Sequence, residues 1–143
     1  MEWTFRCYCA SDGKRDVIQD WYDSQSPETQ AEFDNTLDFL RPRGRDEWKR
    51  PQFDVLHGEC AGLGEIRFKA NRVEHRIVGY FGPDRMKFAM LVAAIEKDKK
   101  FIPKSTCRTA QRRKTEVESN STRDSHVCFA RKFGPEIPKQ TLS

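Results

Sequence analysis

Arg67, Lys69 and Arg76 sit in two short alternating runs, and a lysine cluster with a basic segment follows them closely. From Lys97 to Glu118, eight lysines and arginines stand against three acids: Lys97, Lys99, Lys100, Lys104, Arg108, Arg112, Arg113 and Lys114 against Asp98, Glu116 and Glu118. Guanidinium groups match phosphate bidentately and keep their charge, so they stabilise negative charge well and serve poorly as bases. A basic surface of this density most often meets phosphate, and nucleic acid is the commonest phosphate polymer in a cell. The competing reading is an ordinary solvated helix face.

The elements that carry these groups are legible. In the run after Gly62, Glu65, Arg67 and Lys69 point to one side and Ile66 and Phe68 to the other, the period-2 pattern of a half-buried strand. Asn71 to Glu74 form a turn. A second run then sets Ile77, Gly79 and Phe81 against Arg76, Val78 and Tyr80, and Gly82-Pro83-Asp84 ends it. Met86 to Ile95 is apolar on both faces, as a central strand is. Tight connections make this an antiparallel meander whose charged face gathers Arg67, Lys69, Arg76 and Tyr80. On such a face, replacing Arg67 or Arg76 should change stability by no more than about 0.5 kcal/mol.

Upstream, Trp3, Phe5, Cys7 and Cys9 alternate with polar residues as a strand, closed by Asp12-Gly13. Val17, Ile18, Trp21 and Tyr22 make a helical stripe. Ser26-Pro27-Glu28 starts a second helix, with serine as N-cap, proline at the first position and glutamate at the positive end. The segment from Asp12 to Glu47 holds ten acids and five bases, so the net charge of +4 hides a polarised molecule. The order of elements predicts an α+β fold: a twisted antiparallel sheet of about four strands, an acidic N-terminal helical hairpin on one face, and a C-terminal helix from Pro103 to Glu118 against it or at its edge. Residues 1–118 form the domain, and residues 119–143 read as a polar extension, mobile unless Val127, Cys128, Phe129 and Phe133 pin it.

With 36% hydrophobic and 34% charged residues, the chain has a small core and large charged surfaces. It has no apolar run of the roughly 18 residues that a spanning helix needs and no visible secretory signal, which predicts a cytoplasmic protein with no membrane partner. Cys7, Cys9, Cys60, Cys107 and Cys128 are scattered without metal-type pairs, so buried, reduced thiols are expected. His57, His75 and His126 do not cluster with them, and neither a metal nor another cofactor is expected.

The sequence GLGEIR, then HRIVGYF, an apolar strand, EKDKKFIP and a helix with Ala110, Arg112 and Arg113 resembles the RelE/HigB-like toxins of bacterial and phage toxin–antitoxin modules, within the RelE/ParE superfamily. The likeness covers roughly Asp16 to Glu118. It implies a ribosome-dependent mRNA interferase, a metal-independent endoribonuclease in which the RNA 2′-hydroxyl attacks the adjacent phosphate and translation stops. Arg67 and Arg76 then fall where such enzymes contact phosphate, with Lys69 and Lys97 completing the cradle. Lys99, Lys100, Lys104, Arg108, Arg112 and Arg113 would bind RNA. The late tyrosine or histidine of active relatives has no counterpart between Ile102 and Glu118, which leaves His75, Tyr80, Glu65 or Lys69 as acid or base. The implied partners are the ribosome, its message and a small helix-turn-helix antitoxin, through which alone operator DNA would be met. A ParE-like gyrase poison and a phage-derived non-toxic binding protein of the same fold are the alternatives.

Overall fold

The structure, a computed structural model, describes residues 2–10, 15–119 and 127–129. Its elements in chain order are β1 (Thr4–Ala10), β2 (Arg15–Asp16), α1 (Val17–Asp23), α2 (Pro27–Leu40), β3 (Phe53–Val55), β4 (Gly64–Ala70), β5 (Val73–Phe81), β6 (Lys87–Lys97), β7 (Lys100–Ile102), α3 (Thr106–Ser119) and β8 (Val127–Phe129), with short 3-10 turns at Arg45–Glu47 and Gly58–Cys60. The fold is α+β, but the sheet is larger than four strands and is not purely antiparallel. Its strands run β2-β1-β6-β5-β4-β3, with β7 beside β6 and β8 beside β1, eight among the described residues. β1 pairs with β6 in parallel, Phe5 opposite Phe88 and Cys7 opposite Met90.

The expected helical hairpin is also corrected. Asp16 caps α1, its carboxylate accepting from the Ile18 and Gln19 amides at 3.0 and 2.8 Å, and Ser26 caps α2 by accepting from the Thr29 amide at 3.2 Å. The two helices do not pack along each other. α1 lies on β1 and β6 while α2 lies on β4. They meet through a few side chains, Trp21 and Tyr22 against Phe33 at 5.2 and 5.6 Å and the Tyr22 hydroxyl donating to Asp34 at 2.8 Å, while Ile18, the one buried residue of α1, belongs to the core. The Asp12-Gly13 turn lies outside the described residues, as does most of the segment after Ser119; of that segment, β8 extends the sheet along β1, Cys128 opposite Cys7.

Two cores result, one on each face. On the α1 and α2 side, Trp3, Trp48, Phe53, Phe81 and Phe88 form a cluster with ring centroids 5.0–5.8 Å apart. Both indole N–H groups are satisfied, Trp3 donating to the Arg43 carbonyl at 2.8 Å and Trp48 to that of Leu40 at 3.0 Å. On the other side, α3 sets Ala110 and Val117 over Val78, Tyr80, Ala89 and Leu91. Thus α3 covers half of the face expected to be charged and open. Where β5 meets β6 the register shifts at Val78/Gly79. Gly79 is required there, because a Cβ would stand 2.0 Å from the Ala89 carbonyl oxygen.

The cysteines depart from the reduced-thiol expectation. Cys60 and Cys107 form a disulfide, Cα atoms 5.1 Å apart, and Cys9 is disulfide-bonded as well. The first bond ties the Gly58–Cys60 turn to the first turn of α3 across 47 residues of sequence. Closing a loop of that length restricts the unfolded chain, so the double variant Cys60→Ser/Cys107→Ser should lose about 2–4 kcal/mol in non-reducing denaturant melts. An unchanged midpoint would show that the bond adds nothing in solution.

Candidate active site

β4 and β5 place Arg67 directly opposite Arg76, and Lys69 opposite Glu74. Two like charges facing across a ladder repel, and the sequence offsets this with carboxylates on the same face. Arg76 Nε lies 2.8 Å from Glu96 and 3.8 Å from Glu65, and its Nη1 lies 3.4 Å from Glu74. Nη1 also donates to the His75 carbonyl at 2.9 Å. Arg67 donates to Glu65, and Lys69 Nζ lies 3.7 Å from Glu74. Arg76 is only 3% exposed. The expectation that both arginines sit on an open polar face, with little bearing on folding, is therefore corrected for Arg76, which is buried among three carboxylates.

Two cavities flank this network and share Arg67. The first, about 320 Å³, is lined by Glu32, Gln52, Arg67, Phe68, Lys69 and Arg76 among others. The second, about 270 Å³, brings Glu65, Arg67 and Glu96 to face His57, Lys99, Lys100 and Phe101. Lys99 and Lys100 come from the tight β6–β7 connection, where Asp98 and Lys99 both hold positive φ, 54° and 65°, as a two-residue I′ turn requires. Lys97, at the end of β6, is exposed beside them.

Glu65 is the group in this groove with the clearest acid–base character. Burial raises its carboxyl above the ordinary value, against the pull of Arg67 and Arg76 and with help from the Glu96 charge. A carboxyl shifted upward in a cleft beside cations is a candidate proton acceptor. Glu65 is legible as such in the sequence. His57 is not: it follows a three-residue strand, too short to give a period, and only the turn before Cys60 brings it to the cavity.

The other sequence candidates are not brought to this groove. His75 lies on the opposite face, 5% exposed, stacked on Phe68 at 5.0 Å and edge-on to Trp21 at 6.1 Å. Burial, then the Arg76 charge, lowers its pKa from 6.5, and its Nδ1 has no hydrogen-bond partner among the described residues. A lowered histidine pKa supports stability above about pH 6.5 and withdraws that support as pH falls through the folded value. His75→Phe, which keeps the stacked ring, should therefore flatten the loss of melting temperature between about pH 7 and 5. A loss as steep as in the wild type would show that His75 is not the sensor.

Tyr80 is buried under α3, with Lys114 Nζ 5.2 Å from its ring. Arg113 has a structural post, donating to the Leu91 carbonyl at 2.6 Å and lying 4.9 Å over the Tyr8 ring. Lys104, Arg108 and Arg112 are exposed on or just before α3, and Arg112 lies 3.7 Å from Glu116. None of the three lines either cavity.

A family model described as "Phage derived protein Gp49-like (DUF891)" matches residues 20–115. The chain belongs to the Gp49-like family. The matched stretch runs from α1 into α3 and contains every residue named in the groove. No curated protein and no solved structure matches this Gp49-like chain. Among its described residues, no helix is long and apolar enough to cross a membrane, and no group of three His, Cys, Asp or Glu side chains is arranged to hold a metal ion.

Proposed function

We propose that this Gp49-like protein is the toxin of a toxin–antitoxin module and cleaves messenger RNA on the ribosome, with the Glu65 groove as its active site. The observation that carries the reading is the juxtaposition of a buried carboxyl of raised pKa with Arg67 and the Lys99-Lys100 rim in one cavity. In-line attack of a 2′-hydroxyl needs a proton acceptor, charge stabilisation at the phosphorane and a proton for the leaving 5′-oxygen. Glu65 takes the 2′-hydroxyl proton, Arg67 and the two lysines hold the phosphate oxygens, and His57 supplies the proton to the leaving oxygen. Arg76 holds Glu65 and Glu96 in place. The resemblance to RelE/HigB-like toxins in the order of GLGEIR, HRIVGYF and EKDKKFIP supports the same reaction, and with it a small antitoxin that covers the basic surface.

One observation favours a second reading, a non-toxic binding protein of the same fold. Three carboxylates already neutralise Arg76, so phosphate must compete with them. Expression of the chain in growing cells, with primer extension on a translated message, separates the two. Growth arrest with new message ends supports the ribonuclease. Unimpaired growth with intact message supports the binding protein.

A further inference from the structure

The Glu65 groove holds more than charge. Phe101, on β7, stands opposite Glu96 in the ladder and so shares the face of Glu65 and Arg67. Its ring is half-buried against the α3-side core, and it lines the 270 Å³ cavity together with Val55 and Leu56. One wall of the cavity is thus apolar and aromatic, while the rim directly before Phe101 in sequence is Lys99-Lys100. Nothing in phosphate chemistry asks for an apolar wall. A nucleotide asks for both parts at once: a π-face for the base and cations for the adjoining phosphate.

We infer that Phe101, packed with Leu56 against the same apolar cluster, is the platform on which one unpaired RNA base stacks, with Lys99 and Lys100 holding the phosphate beside it. The inference rests on the ribonuclease reading for the identity of the polymer, and names the part of the groove that binds rather than cleaves. A base inside a duplex is stacked on both faces and cannot enter such a cavity, so the ligand is single-stranded. Phe101 is a positioning residue: it sets which nucleotide lies against Glu65 and Arg67.

The test is equilibrium binding of a single-stranded 2′-O-methyl RNA hexamer carrying one 2-aminopurine, which cannot be cleaved because its 2′-oxygens are blocked. Stacking quenches 2-aminopurine fluorescence. The wild type is expected to bind and quench. Phe101→Leu, which keeps the apolar contact with the core, should bind roughly 5- to 150-fold more weakly, the loss typical of one base–aromatic stack, with quenching abolished. Phe101→Tyr should restore both. Equal binding and quenching by Phe101→Leu, or no binding by the wild type, would overturn the inference. Message cleavage is scored separately: Phe101-dependent binding without cleavage retires the ribonuclease and keeps the platform, whereas wild-type cleavage by Phe101→Leu at unchanged positions retains the ribonuclease and removes the platform.

Discussion

Arg76→Ala is expected to destabilise the protein by about 3 kcal/mol, the low end of the cost of breaking a buried ion pair, because Arg67 stays with Glu65 and Lys69 with Glu74. The Glu65 and Arg76 side chains are 5% and 4% exposed, so that pair is little screened, whereas Glu96 and Glu74, at 30% and 43%, stay in reach of solvent. Arg67→Ala should cost less, since that side chain is 16% exposed and Glu65 would keep Arg76. Denaturant melts give the comparison. A loss for Arg76→Ala within about 0.5 kcal/mol, the surface norm, would show that the network is solvated in solution. Replacing Arg76 and Glu65 together by apolar residues of similar volume should recover much of the loss, because the desolvation penalty goes with the charges.

Glu65→Gln should leave the fold largely in place and lower message cleavage by about 10²- to 10⁴-fold, the usual contribution of a positioned acid or base. Glutamine keeps the shape and one oxygen for Arg67, and Arg76 retains Glu96 and Glu74. The pH dependence carries a sign. A base must be ionised, so wild-type cleavage should rise with pH through the Glu65 pKa, which burial places above the ordinary 4.5. That limb should be missing from the residual activity of Glu65→Gln. Cleavage that falls in Glu65→Gln while the limb persists would assign the limb to another group and leave Glu65 an electrostatic part.

Much of the sheet was legible because period 2 survives in long strands. Ile66 and Phe68 against Glu65, Arg67 and Lys69 gave β4 its faces, and Ser26-Pro27 placed the start of α2. β2, β3 and β7 are two or three residues long and leave no period to read. Alternation also says nothing about which strand a neighbour is, so the parallel pairing of β1 with β6 was invisible. The run Met86 to Ile95 did carry the missing information. A strand apolar on both faces needs a cover on both, and α3 supplies the second one over Ala89 and Leu91. The site was half legible. Arg67 and Lys69 lie in the groove region, but counting cations along a face could not reveal that Glu65, Glu74 and Glu96 converge on Arg76, because Glu96 arrives from a strand 20 residues away. The Cys60–Cys107 bond had no spacing signal, its partners meeting only through the packing of α3.

Mapping message ends after expression of the chain decides whether the groove is a ribonuclease site. During translation the wild type should generate new 5′-hydroxyl ends and matching 2′,3′-cyclic phosphate ends, the products of 2′-hydroxyl attack, and Glu65→Gln, folded by its melt, should generate almost none. Message that stays intact with the wild type, or cleavage at the wild-type rate by Glu65→Gln, would contradict the assignment.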